Sequence, residues 1–383
     1  MIQEQILGKT GIKVRKIALG CEHLQGKDEA LVRSVIERAV EKGIDFLDVF
    51  MSEPNVRTYI GRTLKGRRKD LKIQGHIGAI WENGQYAVSR DLDCCKYFFD
   101  DLLTRLNTAY IDVGYIHCLD DYQEWERLTA SKTLEYVQDL KDKKVIHALG
   151  LSTHNPITAK RAVESGLIDV LMFALNPIYD LIPPDQEIWP IVEEKPYDYS
   201  GMDQIRPERQ ELYRLCESKD IPIIVMKSLG AGALLSKERS PYEEAMSVLQ
   251  CIHYAFTRPA VAAVMLGMQT VTEVNEAISY YDATDKEKDY SEILAARTSG
   301  TFDGRCMYCN HCLPCEAGID IASVNKYLDL VEMDQIPAAT VQEHYAALGK
   351  TAEDCLECYS CEQRCPFNVS IVERMDRARL IFN

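Results

Sequence analysis

Short apolar runs and longer amphipathic stretches alternate along the first 267 residues of the chain. The eight short runs are residues 16–20, 44–49, 71–75, 110–117, 145–152, 169–175, 221–227 and 260–267. Short apolar runs bounded by turns predict buried parallel strands, and the stretches between them have the apolar spacing of helices. Eight strand–helix units predict a closed (β/α)8 TIM barrel. A doubly wound sheet is the alternative architecture, but the even repeat favours closure.

The helical stretches carry their apolar residues on one side. In residues 29–43 that side consists of Leu31, Val32, Val35, Ile36, Ala39 and Val40, and Gly43 is a typical helix stop. Residues 128–144 have a similar pattern. Residues 4–15 instead predict a β-hairpin that turns at Lys9, Thr10 and Gly11.

Closely spaced cysteines form two runs near the end of the chain. The first run is Cys306, Cys309, Cys312 and Cys315, and the second is Cys355, Cys358, Cys361 and Cys365. Such runs bind [4Fe–4S] clusters, with three thiolates on one cluster and the fourth on the other. The crossed pattern assigns Cys306, Cys309, Cys312 and Cys365 to one cluster. It assigns Cys355, Cys358, Cys361 and Cys315 to the second.

The first run departs from the usual ferredoxin pattern in two places. Its last gap is two residues instead of three, and Glu316 stands where a proline usually follows. A pair of structural zinc sites is the alternative, although zinc ribbons do not need four thiols in one run. Residues 321–335 and 340–349, between the runs, predict helices. The tail is therefore predicted to be a small α-helical, ferredoxin-like domain.

The composition of the chain limits the classes of molecule that it can bind. The net charge of −15 argues against nucleic acid and against an anionic membrane surface. No apolar run is long enough to cross a bilayer, and the first residues lack a signal-peptide pattern. We expect a cytoplasmic protein in which the six scattered cysteines are mostly buried, inert thiols.

Residues 1–284 resemble an aldo-keto reductase. The matching stretches include LGKTGIKVRKIALG, GIDFLDVF, YIDVGYIHCLDD, VIHALGLSTHN, VMKSLGAGALL and MLGMQTVTEVNEA. The cysteine tail is similar to that of the branch with a C-terminal 4Fe–4S ferredoxin-type domain. The resemblance implies a barrel in residues 1–284, a linker in 285–300 and an iron–sulfur domain in 301–383. It also implies a carbonyl reductase that uses NADPH.

Only two of the four residues of the family's catalytic tetrad are present at the matching positions of this sequence. The aspartate falls on Asp48 and the histidine on His117, but Glu53 and His76 stand where the family has tyrosine and lysine. These four residues are the predicted catalytic set, expected at the mouth of the barrel. A carboxyl group beside a histidine can move a proton. A barrel that has lost its chemistry is the alternative.

The predicted dinucleotide site also follows from the resemblance, except for Lys227, which is a candidate because it ends the seventh strand. Gly230 and Gly232 lie on the family's pyrophosphate loop, and Ser152 falls on the carboxamide contact. The adenosine-phosphate segment contributes Gly267, Thr270 and Glu276. No arginine follows Gly267, which leaves the choice between NAD and NADP open. Cys21, Glu22 and His23 and the insert 178–206, with Trp189, are further candidates near the substrate.

These residues predict an oxidoreductase that reduces a small carbonyl compound or an activated alkene. Two clusters suggest one-electron exchange with a ferredoxin or a flavoprotein. A metal-dependent lyase or hydrolase is the second hypothesis, because His76 and His117 with one carboxylate form a 2-His-1-carboxylate set. A catalytically inactive barrel that serves as an electron carrier or interaction protein is the third.

Overall fold

The structure is a computed structural model. It describes residues 4–186, 189–193, 197–202, 204–242, 244–297, 302–333 and 337–382. Parts of the insert 178–206, including the side chain of Trp189, lie outside the described residues, so the predicted lid contact stays a prediction.

The strands of the described residues are, in chain order, β1 (Glu4–Ile6), β2 (Lys13–Arg15), β3 (Ile17–Gly20), β4 (Phe46–Val49), β5 (Lys72–Ile77), β6 (Ala79–Glu82), β7 (Gln85–Val88), β8 (Ile111–Ile116), β9 (Ile146–Thr153), β10 (Val170–Ala174), β11 (Ile223–Met226) and β12 (Val261–Gly267).

The α-helices are α1 (Glu29–Glu41), α2 (Pro54–Thr63), α3 (Leu92–Leu106), α4 (Tyr122–Thr129), α5 (Lys132–Asp142), α6 (Pro156–Ser165), α7 (Trp189–Val192), α8 (Pro207–Lys219), α9 (Val248–Phe256), α10 (Val271–Ile278), α11 (Asp285–Lys288), α12 (Ser291–Arg297), α13 (Ile321–Glu332), α14 (Ala339–Ala346), α15 (Ser360–Arg364) and α16 (Ile371–Phe382).

Eight strands close into a barrel in the order β10-β11-β12-β3-β4-β5-β8-β9. They are the eight apolar runs of the sequence, so the predicted TIM barrel is confirmed. Neighbouring strands are parallel, and the register pairs Gly20 with Asp48 and His76 with Tyr115. Parallel strands end at one rim of the barrel, which gathers the side chains that follow them.

The barrel interior is a packed core. Its apolar cluster combines strand residues such as Phe46, Val113, Val170 and Ile224 with residues of the first hairpin. That hairpin, β1 paired antiparallel with β2, was predicted from the sequence, and it contributes Leu7, Ile12 and Val14 to the cluster. Buried apolar surface stabilises by about 25 cal/mol per Å², so this filling keeps the barrel closed.

A second hairpin, which the sequence analysis did not predict, follows β5. Its strands β6 and β7 pair antiparallel, with Trp81 opposite Tyr86. The turn is Asn83-Gly84, and both residues have positive φ values of 53° and 78°. Such a pair is the usual sequence of a two-residue hairpin turn. The hairpin therefore projects from the rim at which β5 ends.

Contacts divide the chain into two compact units. The first contains residues 1–174, 221–227 and 262–281, which include nearly all of the barrel. The second contains residues 175–220, 228–261 and 282–383. The first unit ends close to the predicted boundary at 284, but two barrel segments belong to the second unit. The predicted linker 285–300 contains α11 and α12 and the buried Tyr290.

Polar contacts tie α8 and the tail together within the second unit. His344 of α14 pairs with Glu217 of α8 at 2.6 Å. The hydroxyl of Thr340 donates to the carbonyl of Ser218 at 2.7 Å. Farther along, Arg374 of α16 pairs with Asp329 of α13. These contacts explain why α8 groups with the tail.

Among the described helices, none combines the length and the apolar character that crossing a membrane requires.

Gly78, which joins β5 to β6, has φ +97°, and a Cβ there would lie 2.7 Å from the carbonyl oxygen of Ser89. We therefore expect Gly78→Ala to lower the free energy of unfolding by about 1–3 kcal/mol. Gly84→Asn is the control, because a Cβ at Gly84 meets no described atom within 4 Å and asparagine tolerates positive φ. Chemical denaturation measures both variants, and equal losses would contradict the steric argument.

Candidate active site and cysteine sites

Three predicted catalytic residues meet at the barrel rim. Asp48 lies on β4, His76 on β5 and His117 directly after β8, and all three are buried. His76 Nε2 lies 3.0 Å from Asp48 Oδ1. His76 Nδ1 lies 2.8 Å from His117 Nδ1. The structure thus joins Asp48, His76 and His117 in one line of hydrogen bonds.

A tyrosine that the sequence analysis missed extends this line. The hydroxyl of Tyr86, on β7, lies 2.5 Å from His117 Nε2. Phe50 stacks on the His117 ring at 5.4 Å and meets the Tyr86 ring edge-on at 6.0 Å. Tyr86 is 41% exposed, so a substrate can reach it. The Asn83-Gly84 turn is the sequence signal that could have revealed this hairpin and its tyrosine.

Burial shapes the protonation of the line. It lowers the pKa of His117 well below the ordinary value, and the neighbouring His76 lowers it further. Burial also raises the pKa of the Tyr86 phenol. His117 is therefore a neutral imidazole and Tyr86 a protonated phenol at neutral pH.

The direction of the hydrogen bonds depends on the tautomers of the two rings. In the tautomer in which His76 donates through Nε2 to Asp48, its Nδ1 accepts. His117 then donates through Nδ1, and its Nε2 accepts from the hydroxyl of Tyr86. Each donor points towards Asp48. The line, which we name the Tyr86–Asp48 relay, can therefore accept a proton only at its tyrosine end.

Glu53, the fourth predicted catalytic residue, has a different role in the structure. Its carboxylate accepts the backbone N–H groups of Asn55 at 3.0 Å and Val56 at 2.6 Å. It is the N-cap of α2, and the helix begins at Pro54. A carboxylate at this position stabilises the free N–H groups and the positive end of the helix. In the sequence, the distance from Asp48 to Glu53 could not show whether Glu53 caps a helix or acts as a catalytic acid.

The predicted 2-His-1-carboxylate site is not favoured by the geometry. His76 and His117 use their facing nitrogens on each other. The one metal-type group found among the described residues is Cys118, Asp120 and His154, with ligand atoms within 4.8 Å of one another. Its Asp120 accepts from His154 Nδ1 at 2.8 Å and from the Thr153 hydroxyl at 2.9 Å. Burial alone would raise the pKa of Asp120, but His154 lowers it to about 2. Asp120 is therefore already satisfied by hydrogen bonds from His154 and Thr153.

The predicted dinucleotide residues of the first unit lie on or after the carboxyl ends of strands. Ser152 is buried on β9, and its hydroxyl accepts the backbone N–H of Cys118 at 3.2 Å, which leaves its own proton to donate. Lys227 follows β11 with a φ of 57°. Gly267 ends β12, and a Cβ there would lie 2.3 Å from the ring of His23. Close approach of that ring explains the glycine. Further on, Thr270 caps α10, and Glu276 is exposed on the same helix.

Gly230 and Gly232 belong to the second unit and lie in a tight loop. Three successive residues have left-handed φ values: 60° at Gly230, 52° at Ala231 and 82° at Gly232. Successive backbone N–H groups in turn conformations can form concave sites that bind anions. The hydroxyl of Ser228, which precedes the loop, is buried without a hydrogen-bond partner among the described residues. Both features suit phosphate oxygens.

The eight cysteines of the tail line two small cavities. The first cavity is lined by Cys306, Cys309, Cys312 and Cys365. The second is lined by Cys315, Cys355, Cys358 and Cys361. Each set takes three thiols from one run and one from the other. Cys309 and Cys312 are buried, whereas Cys358 is exposed.

The two runs have the same backbone course. In the first, Tyr308 and Asn310 have positive φ values of 59° and 63°. In the second, Glu357 and Tyr359 take the same places with 53° and 58°. Non-glycine residues in this region are strained, so the repetition indicates one shared loop geometry.

Arginines hold these loops. Arg364 donates to the carbonyl oxygen of Cys312 at 2.6 Å and to that of Pro314 at 2.7 Å. Arg379 donates to the carbonyl oxygen of Cys355 at 2.8 Å. The loop backbone around both cavities is therefore fixed by side chains of the second run and of α16.

The aldo/keto reductase family model matches residues 16–248, which is more than half of the sequence. The chain therefore belongs to the aldo/keto reductase family, and it is an oxidoreductase. A comparison with curated proteins finds no match.

Solved aldo-keto reductases share the fold. The holo form of the enzyme from Bacillus halodurans matches with a TM-score of 0.60 and 20% identity, over 78% of this chain and 97% of that chain. A Pseudomonas aeruginosa protein assigned to the same group matches at 0.55 and 19%, over 72% and 93%. The Brucella melitensis enzyme matches at 0.52 and 15%, over 77% and 97%.

The two possible roles of Glu53, helix cap and catalytic acid, predict different effects of its substitution on stability and turnover. We expect Glu53→Ala to lower the free energy of unfolding by about 1 kcal/mol, because α2 loses its cap, and to leave kcat close to wild type. Asp91→Ala is the matched control, since Asp91 caps α3 through the N–H of Cys94. Denaturation and turnover measure both. A hundredfold fall of kcat in Glu53→Ala alone would return Glu53 to the active site.

Proposed function

We propose that this oxidoreductase reduces a small carbonyl compound with a nicotinamide dinucleotide and that Tyr86 is its acid. The observation that supports this most directly is the Tyr86–Asp48 relay, which ends at a phenol open to solvent. An activated alkene was the other predicted substrate because of Glu53. Since Glu53 caps a helix, a carbonyl oxygen, which can accept from a phenol, is the better fit.

The relay exists in two states that differ by one proton. In the resting state every donor points to Asp48. When a proton is added, Asp48 carries it, and each hydrogen bond of the relay reverses. The phenol then accepts from His117 Nε2, and its own proton is free to pass to the carbonyl oxygen of the substrate. Reduction consumes the loaded state and regenerates the resting one. Oxidation of the alcohol runs the same steps backwards.

His117 therefore takes a role that the family gives to lysine: its N–H supports the tyrosine oxygen as the proton leaves. His76 and Asp48 hold its tautomer, because Asp48 accepts from His76 and His76 accepts from His117. The loaded state holds one proton more than the resting state, and that proton is on Asp48 while both imidazoles stay neutral. Reduction should thus be favoured by acid and oxidation by base.

The chain has residues that fit a nicotinamide dinucleotide. The left-handed loop at Gly230 and Gly232, with the unpartnered Ser228 hydroxyl, suits phosphates. Ser152 suits a carboxamide, because its buried hydroxyl keeps a proton to donate. Lys227, Gly267, Thr270 and Glu276 are proposed as further contacts. When bound, the nicotinamide supplies the hydride.

We also propose that the two cysteine sets bind two [4Fe–4S] clusters in a ferredoxin-like domain. Each cavity is lined by four thiols, and the walls are otherwise largely apolar, as with Ile319, Ile321 and Val372 around the second. Such a donor set fits iron–sulfur ligation. When bound, the clusters carry single electrons, so a ferredoxin or a flavoprotein remains the proposed partner.

The relay can be tested with small aldehydes. We expect anaerobic enzyme to oxidise NADH or NADPH in their presence, and Tyr86→Phe to lower kcat about 100-fold or more, because the acid is lost. Tyr97→Phe is the control, since Tyr97 is 67% exposed on α3. If Tyr86→Phe reduces aldehydes as fast as Tyr97→Phe, the proposed acid is wrong.

The pH profile tests the two states of the relay. We expect the rate of reduction to fall as pH rises through the relay's apparent pKa, and the rate of alcohol oxidation to rise. The sign follows from the proton count, because the loaded state that reduces holds one proton more than the resting state that oxidises. His117→Gln should flatten both profiles. Profiles of the same sign in the two directions would contradict the relay.

The crossed cysteine sets predict that two double substitutions will differ in the number of clusters that they remove. In Cys306→Ala/Cys365→Ala both losses fall on one set, so we expect one intact cluster, about four irons per chain and one reduced-cluster spin. In Cys358→Ala/Cys365→Ala the losses fall on both sets, and no intact cluster should remain. Iron analysis and electron paramagnetic resonance measure both variants. The reverse outcome would mean that each run binds its own cluster.

A further inference from the structure

The second unit contains a cavity of about 380 Å³. This volume lies in the range of small-molecule sites. Its walls combine apolar residues such as Phe302, Leu330 and Met333 with the arginines Arg258, Arg305 and Arg374. The aldehyde chemistry does not account for such a cavity, and Cys306 is the one member of the cysteine sets among its described lining residues.

Arg258 is the unusual residue of this wall. It is only 3% exposed, and its guanidinium donates to three neutral oxygens: the carbonyl of Met307 and the hydroxyls of Tyr290 and Thr257. Its Nε has no hydrogen-bond partner, and no carboxylate of the described residues pairs with it within 4.0 Å. An arginine keeps its charge inside a protein, and a buried charge without a counterion is costly.

Tyrosines compensate this charge only in part. The guanidinium carbon lies 4.3 Å from the centre of the Tyr254 ring and 4.7 Å from that of Tyr308. Cation–π contacts stabilise a buried cation less than water does. The carboxylate of Asp180 acts at one remove, because it accepts from the Tyr254 hydroxyl at 2.6 Å. The guanidinium of Arg258 therefore has no anion in direct contact among the described residues.

The two carboxylates in the wall of the cavity already have partners. Asp329 pairs with Arg374 and accepts from the Tyr308 hydroxyl. Glu332 pairs with Arg374 at 3.8 Å and also with Arg377, which is not part of the wall. Arg305 is exposed and makes no ion pair with a described residue. Three arginines face two carboxylates, and the uncompensated charge belongs to Arg258 and Arg305.

We propose that this cavity is a binding site for a small organic monoanion, a carboxylate with an apolar body. The carboxylate would meet the guanidinium groups of Arg258 and Arg305, whose planar donors match its two oxygens. The apolar body would pack on Phe302, Leu330 and Met333. A single carboxylate has two oxygens and can therefore face both unpaired arginines of the wall. This site goes beyond the proposed reaction.

Calorimetry on the anaerobic holoprotein, with benzoate as the probe, tests the site. We expect one saturable site with a Kd of about 0.01–1 mM, as suits a ligand of this size. Benzamide has the same shape without the charge, and we expect it to bind at least about tenfold more weakly, since it cannot neutralise the arginines. No saturable benzoate binding, or equal binding of benzamide, would overturn the proposal.

Variants test the two arginines. Arg305→Gln, which is exposed, should weaken benzoate binding about fivefold to tenfold. Arg258→Lys keeps the buried charge but loses the planar donors, and it should weaken binding at least as much. Met333→Trp should narrow the cavity and weaken benzoate and benzamide alike. Arg127→Gln, on exposed α4 in the first unit, is the matched control and should change nothing. Thermal melts exclude unfolding.

Cys306 also lines the cavity, which offers a competing role for Arg258. If Arg258→Lys shifts the spectrum of the reduced clusters while no monocarboxylate from acetate to benzoate binds the wild type, the arginine serves the cysteine site instead. That result would overturn the ligand site and leave the proposed reaction untouched.

Discussion

The contact between Nδ1 of His76 and Nδ1 of His117 constrains the rest of the barrel site. Two imidazole nitrogens 2.8 Å apart can share only one proton, so the protonation of one ring dictates that of the other. Asp48 at one end and Tyr86 at the other are tied to this choice. A lysine in place of His76 would have supplied a fixed charge. The histidine pair supplies a movable proton.

The barrel makes this contact through its strand register. β5 and β8 are neighbours, with Ile77 beside Ile116, so the residues at their ends must approach each other. Tyr86 reaches the pair only because the hairpin folds back over the rim. Gly78 joins the hairpin to β5, and it lies too close to the carbonyl oxygen of Ser89 to carry a side chain. The acid–base site thus depends on the hairpin and on the glycine at position 78 that joins it to β5.

The sequence predicted the barrel well because every strand is a short apolar run. It placed Asp48, His76 and His117 correctly at one rim, since strand ends in a barrel converge. It did not reveal that Glu53 caps a helix, because a carboxylate before a proline suits a cap as well as an acid, and only the structure shows its N–H partners. The catalytic role of Glu53 stays a prediction. It overlooked Tyr86, although the Asn83-Gly84 turn was readable. The buried charge of Arg258 could not have been foreseen, because Tyr290 and Met307, two of its partners, come from distant segments.

The two cysteine loops repeat one backbone course in unequal surroundings. Cys309 and Cys312 are buried, while the loop of Cys358 is open, with Leu356 67% and Tyr359 52% exposed. For the proposed clusters, this difference in exposure to solvent is one factor that would set their reduction potentials apart. The open loop would be the port at which an external carrier docks, and the buried one the inner end of the path. The exposed apolar residues beside the open loop would then contact the carrier. Electrons would therefore enter or leave at one of the two repeated loops and not at the other.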